Sequence, residues 1–125
     1  MKAVPEKKRR EQILREAWIG DAVLCLYARE RILREDGCLD GEKYVRMTSN
    51  RFLACIGDAS EVEAGIGRVF ERDGLKAAYL YIEQQLIPLF ERQEQNYLKK
   101  HGSSCRRDAP QARGAGARAL TLSCE

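Results

Sequence analysis

Asp21 and Glu63 stand out because their helical surroundings offer them no cation. Residues three and four positions apart share one face of a helix. For Asp21 these neighbours are Ala17, Trp18, Leu24 and Cys25; for Glu63 they are Ala59, Ser60, Ile66 and Gly67. A carboxylate among small and apolar groups loses hydration and must be protonated or meet a cation. Two resolutions are open: arginines reaching across from other helices, or a divalent ion. Hard carboxylate oxygens suit Mg²⁺ or Mn²⁺. Such ions support phosphodiester hydrolysis by activating water and stabilising charge on oxygen. Asp40, Glu42 and Glu61 are further acids within reach of the same chemistry, but each reads equally well as a helix cap or a surface acid.

Glycines accompany both acids. Gly20 precedes Asp21, and Gly65 and Gly67 follow Glu63. Each costs about 1 kcal/mol relative to alanine inside a helix. Glycine at such positions lets a second backbone come close. The expectation is two tightly packed helices whose acids face one cleft.

The elements that must position these groups are all helical. Residues 6–34 are rich in helix formers after Pro5, and Leu14, Trp18, Ala22, Cys25, Leu26 and Leu33 recur at helical spacing. Asp36-Gly37 and Asp40-Gly41 break the pattern. A second helix is expected from Glu42 to Ile56, with Tyr44, Met47, Phe52 and Cys55 inward. A third fills 59–72 and carries Val62, Ile66, Val69 and Phe70. After the Asp73-Gly74 turn a fourth starts at Leu75, with Ala78, Tyr79, Ile82 and Leu86, and Pro88 kinks or restarts it before Leu89, Phe90 and Tyr97. No alternating strand pattern occurs. The string IGDA appears at both 19–22 and 56–59. In the second copy Gly57 suits a helix end, and Asp58 with Glu61 has capping-box spacing. Asp58 is thus punctuation, whereas Asp21 falls mid-helix.

Composition narrows the chemistry. The chain has 125 residues, of which 44% are hydrophobic and 33% charged, with a net charge of +3. One domain is expected over 1–100, followed by a flexible basic tail over 101–125 that is rich in Gly, Ala, Ser and Arg. A single histidine, His101, excludes multi-histidine metal sites. The five cysteines form no CxxC pair, and Cys25 and Cys55 read as small core residues. No apolar run is long enough to span a bilayer, and MKAVPEKKRREQ lacks the apolar stretch of a signal peptide, so the cytoplasm is expected. Lys7, Lys8, Arg9, Arg10, Lys43, Arg46 and Arg51 are candidate phosphate contacts, or else a solvated surface.

These segments carry a family resemblance. AWIGDAVLCLYARERIL (17–33) resembles the signature helix of ribonuclease III domains. RMTSNRFLACIG (46–57), with its Ser49-Asn50 pair, is similar to the helix that follows. EVEAGIGRVFERDGLKAAYLYIEQQLIPLF (61–90) resembles the second acidic helix and the final helix. The resemblance spans most of 14–92. It implies a compact all-α domain, a symmetric homodimer, and Mg²⁺-dependent hydrolysis of double-stranded or structured RNA. By position it assigns catalysis and metal binding to Asp21 and Glu63. Ala17 followed by an aromatic residue, and a hydroxyl at Ser60, are closest to the miniature branch, which consists of the catalytic domain alone and matures ribosomal RNA precursors. Leu14, Ala17 and Ser60 stand where full-length family members carry further acids. The basic segment expected between the Ser-Asn helix and the second acidic helix shrinks to a few residues near Asp58. The alternative expectation is a catalytically degenerate protein of this fold, binding structured RNA or a ribosomal particle, or serving as a dimerisation module.

Overall fold

The computed structural model describes residues 5–102, which contain six helices and no strand. The longest, α1 (Glu6–Asp36), is about 46 Å long at 1.5 Å per residue. It ends where Gly37 takes a left-handed backbone (φ 71°) and donates its N–H to the Leu33 carbonyl. The others are α2 (Gly41–Thr48), α3 (Asn50–Ala54), α4 (Ala59–Asp73), α5 (Leu75–Gln85) and α6 (Ile87–His101). The all-helical expectation is met. The tail, from residue 103 on, lies outside the described residues.

Local chemistry sets most boundaries. The Asp40 carboxylate accepts from the Lys43 N–H at the start of α2, and the Asp58 carboxylate accepts from the Glu61 N–H at the start of α4. Both satisfy backbone donors that a first turn leaves open. Pro88 sits in the first turn of α6, where its missing N–H costs nothing. One expectation is corrected here. The helix expected over Glu42–Ile56 is two helices, because Ser49 is extended (ψ 153°) and its hydroxyl accepts from the Phe52 N–H. A serine that can cap the next turn competes with continuing the last one. Gly57 follows the end of α3, where its N–H donates to the Leu53 carbonyl, and the left-handed glycines are Gly37, Gly74 and Gly102.

Antiparallel packing of α4 on α1 positions the acids. A Cβ built on Gly20 would lie 1.7 Å from the Glu63 carbonyl oxygen, and one on Gly67 would lie 2.0 Å from that of Glu16. Both are far inside van der Waals contact, so the crossing exists only with glycine at both positions. Arg68 of α4 closes the contact on Glu16 of α1 at 2.9 Å.

The core gathers Leu24, Tyr27, Ala28 and Ile32 of α1 with Met47, Phe52, Leu53, Ile66, Ile82 and Phe90. Tyr27 meets Tyr79 edge-on at 5.1 Å, and Phe52 meets Phe90 at 5.7 Å. Arg31 is buried and bridges α1 to α6 through Glu91 at 3.0 Å, while also donating to the Tyr27 hydroxyl.

The apolar stripe read from helical spacing on α1 does not face this core. Leu14 is 48% exposed, Trp18 81% and Leu26 42%. Ala22 is also exposed, and Cys25 and Leu33 are half-buried. The helix is apolar on two faces, and the residues that meet the core are Ala17, Gly20, Val23, Leu24, Tyr27, Ala28 and Ile32. Periodicity finds a face; it does not say which of two faces the rest of the chain covers. Cys55 likewise proves exposed, at the end of α3.

Candidate acidic site

The register of the α1–α4 crossing brings Asp21 and Glu63 together. Gly20 abuts the backbone of Glu63 itself, so the residue after Gly20 stands beside the Glu63 side chain. The two carboxyl groups hydrogen bond to each other. Burial, then this hydrogen bond and the Asp21 charge, push Glu63 up from an ordinary 4.5 to about 7. Glu63 therefore keeps its proton to a higher pH than an ordinary carboxyl does.

Loss of hydration was expected at both acids, and it falls on Glu63 alone. Asp21 is exposed and Glu63 half-buried. The arginine alternative is not what the described residues show. Arg31 is paired with Glu35 and Glu91, Arg46 with Glu94, and Arg68 with Glu16. No ion pair of the described residues includes Asp21 or Glu63.

The pair opens into a groove of about 990 Å³. The exposed stripe of α1, including Leu14, Trp18 and Leu26, lines one side of it. Asn50 of α3 and Ser60 of α4 line it together with Asp21 and Glu63. Neither Asn50 nor Ser60 was a candidate site residue in its own right; both entered the sequence reading only through the resemblance, as part of the Ser49-Asn50 pair and as a hydroxyl in place of an acid. Among the described residues no group of three or more His, Cys, Asp or Glu side chains gathers. Asp40 and Glu61 serve in caps at the starts of α2 and α4, and neither they nor Glu42 lines the groove.

The basic candidates divide. Lys43 is held by Asp36 at 2.8 Å, with both side chains largely covered. Arg46 gives two bonds to the buried Glu94, at 2.9 and 2.6 Å, and lies over the Tyr97 ring. These two are built into the fold, so they are corrected as open phosphate contacts. Lys7, Lys8, Arg9 and Arg10 are exposed in the first turns of α1. They stand about 16–21 Å along the helix axis from Asp21. Arg51 is exposed but lines a different cavity, with Cys55, Tyr97 and His101.

The site fits a divalent cation in its chemistry. It offers hard oxygen donors from two helices, and no ion pair of the described residues supplies them with positive charge. The raised Glu63 makes stability depend on pH. Glu63 has a raised folded pKa, so its contribution is complete below about pH 4.5 and is lost as pH rises through about 7. Water reaches the pair from the groove, which reduces the effect to about 1 kcal/mol. Urea denaturation without divalent ions is expected to show this decline, and Glu63→Gln to flatten it. An equal decline in Glu63→Gln would assign the slope to other groups.

No protein-family model, curated protein or solved structure matches the chain. Function is therefore read from the residues and their geometry.

Proposed function

We propose that the chain is a ribonuclease III-type, Mg²⁺-dependent endoribonuclease that hydrolyses phosphodiester bonds of double-stranded or structured RNA, ribosomal RNA precursors among them, in the cytoplasm. One observation carries this reading. Two carboxyl groups from different helices face each other in an open groove, and no arginine of the described residues neutralises them.

Hydrolysis adds water across one P–O bond. Mg²⁺, or Mn²⁺, would supply Lewis-acid activation of that water and stabilise charge on the phosphate. Asp21 and Glu63 would hold it. The glycine crossing fixes the backbones of both acids, so their spacing does not depend on loop motion. Lys7, Lys8, Arg9 and Arg10 extend the site toward phosphates farther along the RNA. A grip built on phosphates weakens steeply with salt. Among the described residues no helix is long and apolar enough to cross a membrane.

The test is incubation with a structured RNA, with and without Mg²⁺, comparing the wild type with Asp21→Asn. Cleavage that needs Mg²⁺ and is lost in the variant supports the reading. Equal RNA loss in both samples sinks it.

A second observation supports a homodimer. Leu14, Trp18 and Leu26 form an exposed apolar stripe on α1. Such a patch on a small domain marks an interaction surface. Trp18→Asp is expected to convert a dimer to a monomer in sedimentation equilibrium, since a buried tryptophan is a frequent anchor of an interface. An unchanged mass would remove the stripe from the dimer. The same stripe favours the alternative reading, a degenerate protein of this fold that binds RNA or a ribosomal particle, or only dimerises. That alternative predicts salt-sensitive RNA binding, or none, and no Mg²⁺-dependent cleavage.

A further inference from the structure

We propose that the cavity between α3 and α6 binds an unpaired nucleotide, its base stacked on His101 and its phosphate held by Arg51. This site is separate from the acid groove, and the inference does not rest on the nuclease reading. The cavity encloses about 590 Å³. Helix α3 stands between the two openings: Ser49 and Arg51 line this one, whereas Asn50 lines the acid groove. Three planar groups gather in it. The Arg46 guanidinium lies 3.7 Å from the centre of the Tyr97 ring, and its hydrogen bonds to Glu94 fix it there. Tyr97 in turn meets His101, with ring centres 4.5 Å apart and planes at 33°. Tyr97 is half-buried and His101 exposed. The series therefore ends in an exposed ring, against which one more flat group can lie.

Charge and shape together select the ligand. Glu94, the one carboxylate in the lining, is buried and already neutralised by Arg46. The Arg51 side chain has no ion pair among the described residues. Lys99 and Lys100 add positive charge to the turn of α6 that carries His101. The cavity therefore takes an anion, and its rings take a flat group. A nucleotide is both: every base has a face that stacks on an aromatic ring, and a guanidinium matches its phosphate. An acidic side chain brings the charge without the ring. A base inside a duplex has its faces covered by its neighbours, so only an unpaired one can stack here.

The experiment titrates the full chain, with EDTA present to prevent cleavage, into a short single-stranded RNA carrying the fluorescent base 2-aminopurine. Binding is expected to quench the fluorescence, because the base stacks on a ring. His101→Ala should weaken binding by ~10-fold and remove the quench, and His101→Tyr, which keeps a ring, should restore both. Arg51→Gln should also weaken binding and lower the slope of log affinity against log salt by about one phosphate contact. Both residues are exposed, so these variants keep the core. A free mononucleotide and an RNA strand share this chemistry. Displacement of the probe by AMP assigns the site to free nucleotides, and displacement only by unlabelled strand assigns it to RNA; either result supports the nucleotide site. Binding without a quench, wild-type affinity in both His101→Ala and Arg51→Gln, or equal displacement by inorganic phosphate or an acidic peptide overturns the proposal. None of these outcomes bears on Mg²⁺-dependent cleavage at the acid pair, so the two readings fail separately.

Discussion

Gly20→Ala is expected to collapse the stability of this domain. The added methyl would sit 1.7 Å from a backbone carbonyl oxygen of α4. No side-chain rotation relieves a clash with backbone, so the two helices must separate. Overpacking a core costs about 1–3 kcal/mol when side chains can adjust, and more when they cannot. A loss of roughly 4 kcal/mol lowers the melting temperature of a domain this size by at least ~15 °C. Gly67→Ala, at 2.0 Å from the Glu16 carbonyl oxygen, should do the same. Gly41→Ala is the control: nothing lies within 4 Å of its added carbon, so its melting temperature should hold or rise slightly. Thermal melts of the three proteins decide this. A Gly20→Ala variant as stable as Gly41→Ala would mean that the crossing is looser than described, and the acid pair would lose its positioning.

Asp21→Asn is expected to separate function from stability. It removes one of the two charges available to a divalent ion, so Mg²⁺-dependent cleavage should fall on the order of 10³-fold, equivalent to about 4 kcal/mol of transition-state stabilisation. It also removes the like charge beside Glu63, which is pushed up to about 7 partly by that neighbour. The metal-free variant should therefore be more stable than the wild type at pH 8, by up to about 1 kcal/mol. The opposite signs are the signature. A variant that merely misfolds loses activity and stability together. A variant that keeps full activity removes Asp21 from the metal site.

Much of this was legible along the chain because the relevant rules are local. Helical spacing and turn residues place α1, α4, α5 and α6 within a residue or two. Asp58 caps α4 as its spacing with Glu61 predicts. The pairing of Asp21 with Glu63 was readable for a less common reason. Glycines beside unpartnered acids are costly in a helix, and that cost points to a close approach of two backbones. The break at Ser49 was not legible, since a serine that caps one helix and a serine inside another look the same until tertiary packing chooses.

Sequence alone determined which residues share a helix face, because 3.6-residue periodicity is a property of the backbone. Tertiary structure decided which faces meet. Helix α1 carries apolar residues on two sides, and α2 to α6 cover only the side with Leu24, Tyr27 and Ile32, leaving Trp18 in solvent. It likewise turned Lys43 and Arg46 inward to Asp36 and Glu94, because a long cationic side chain goes to whichever carboxylate packing brings within reach. No count along the chain contains that distance.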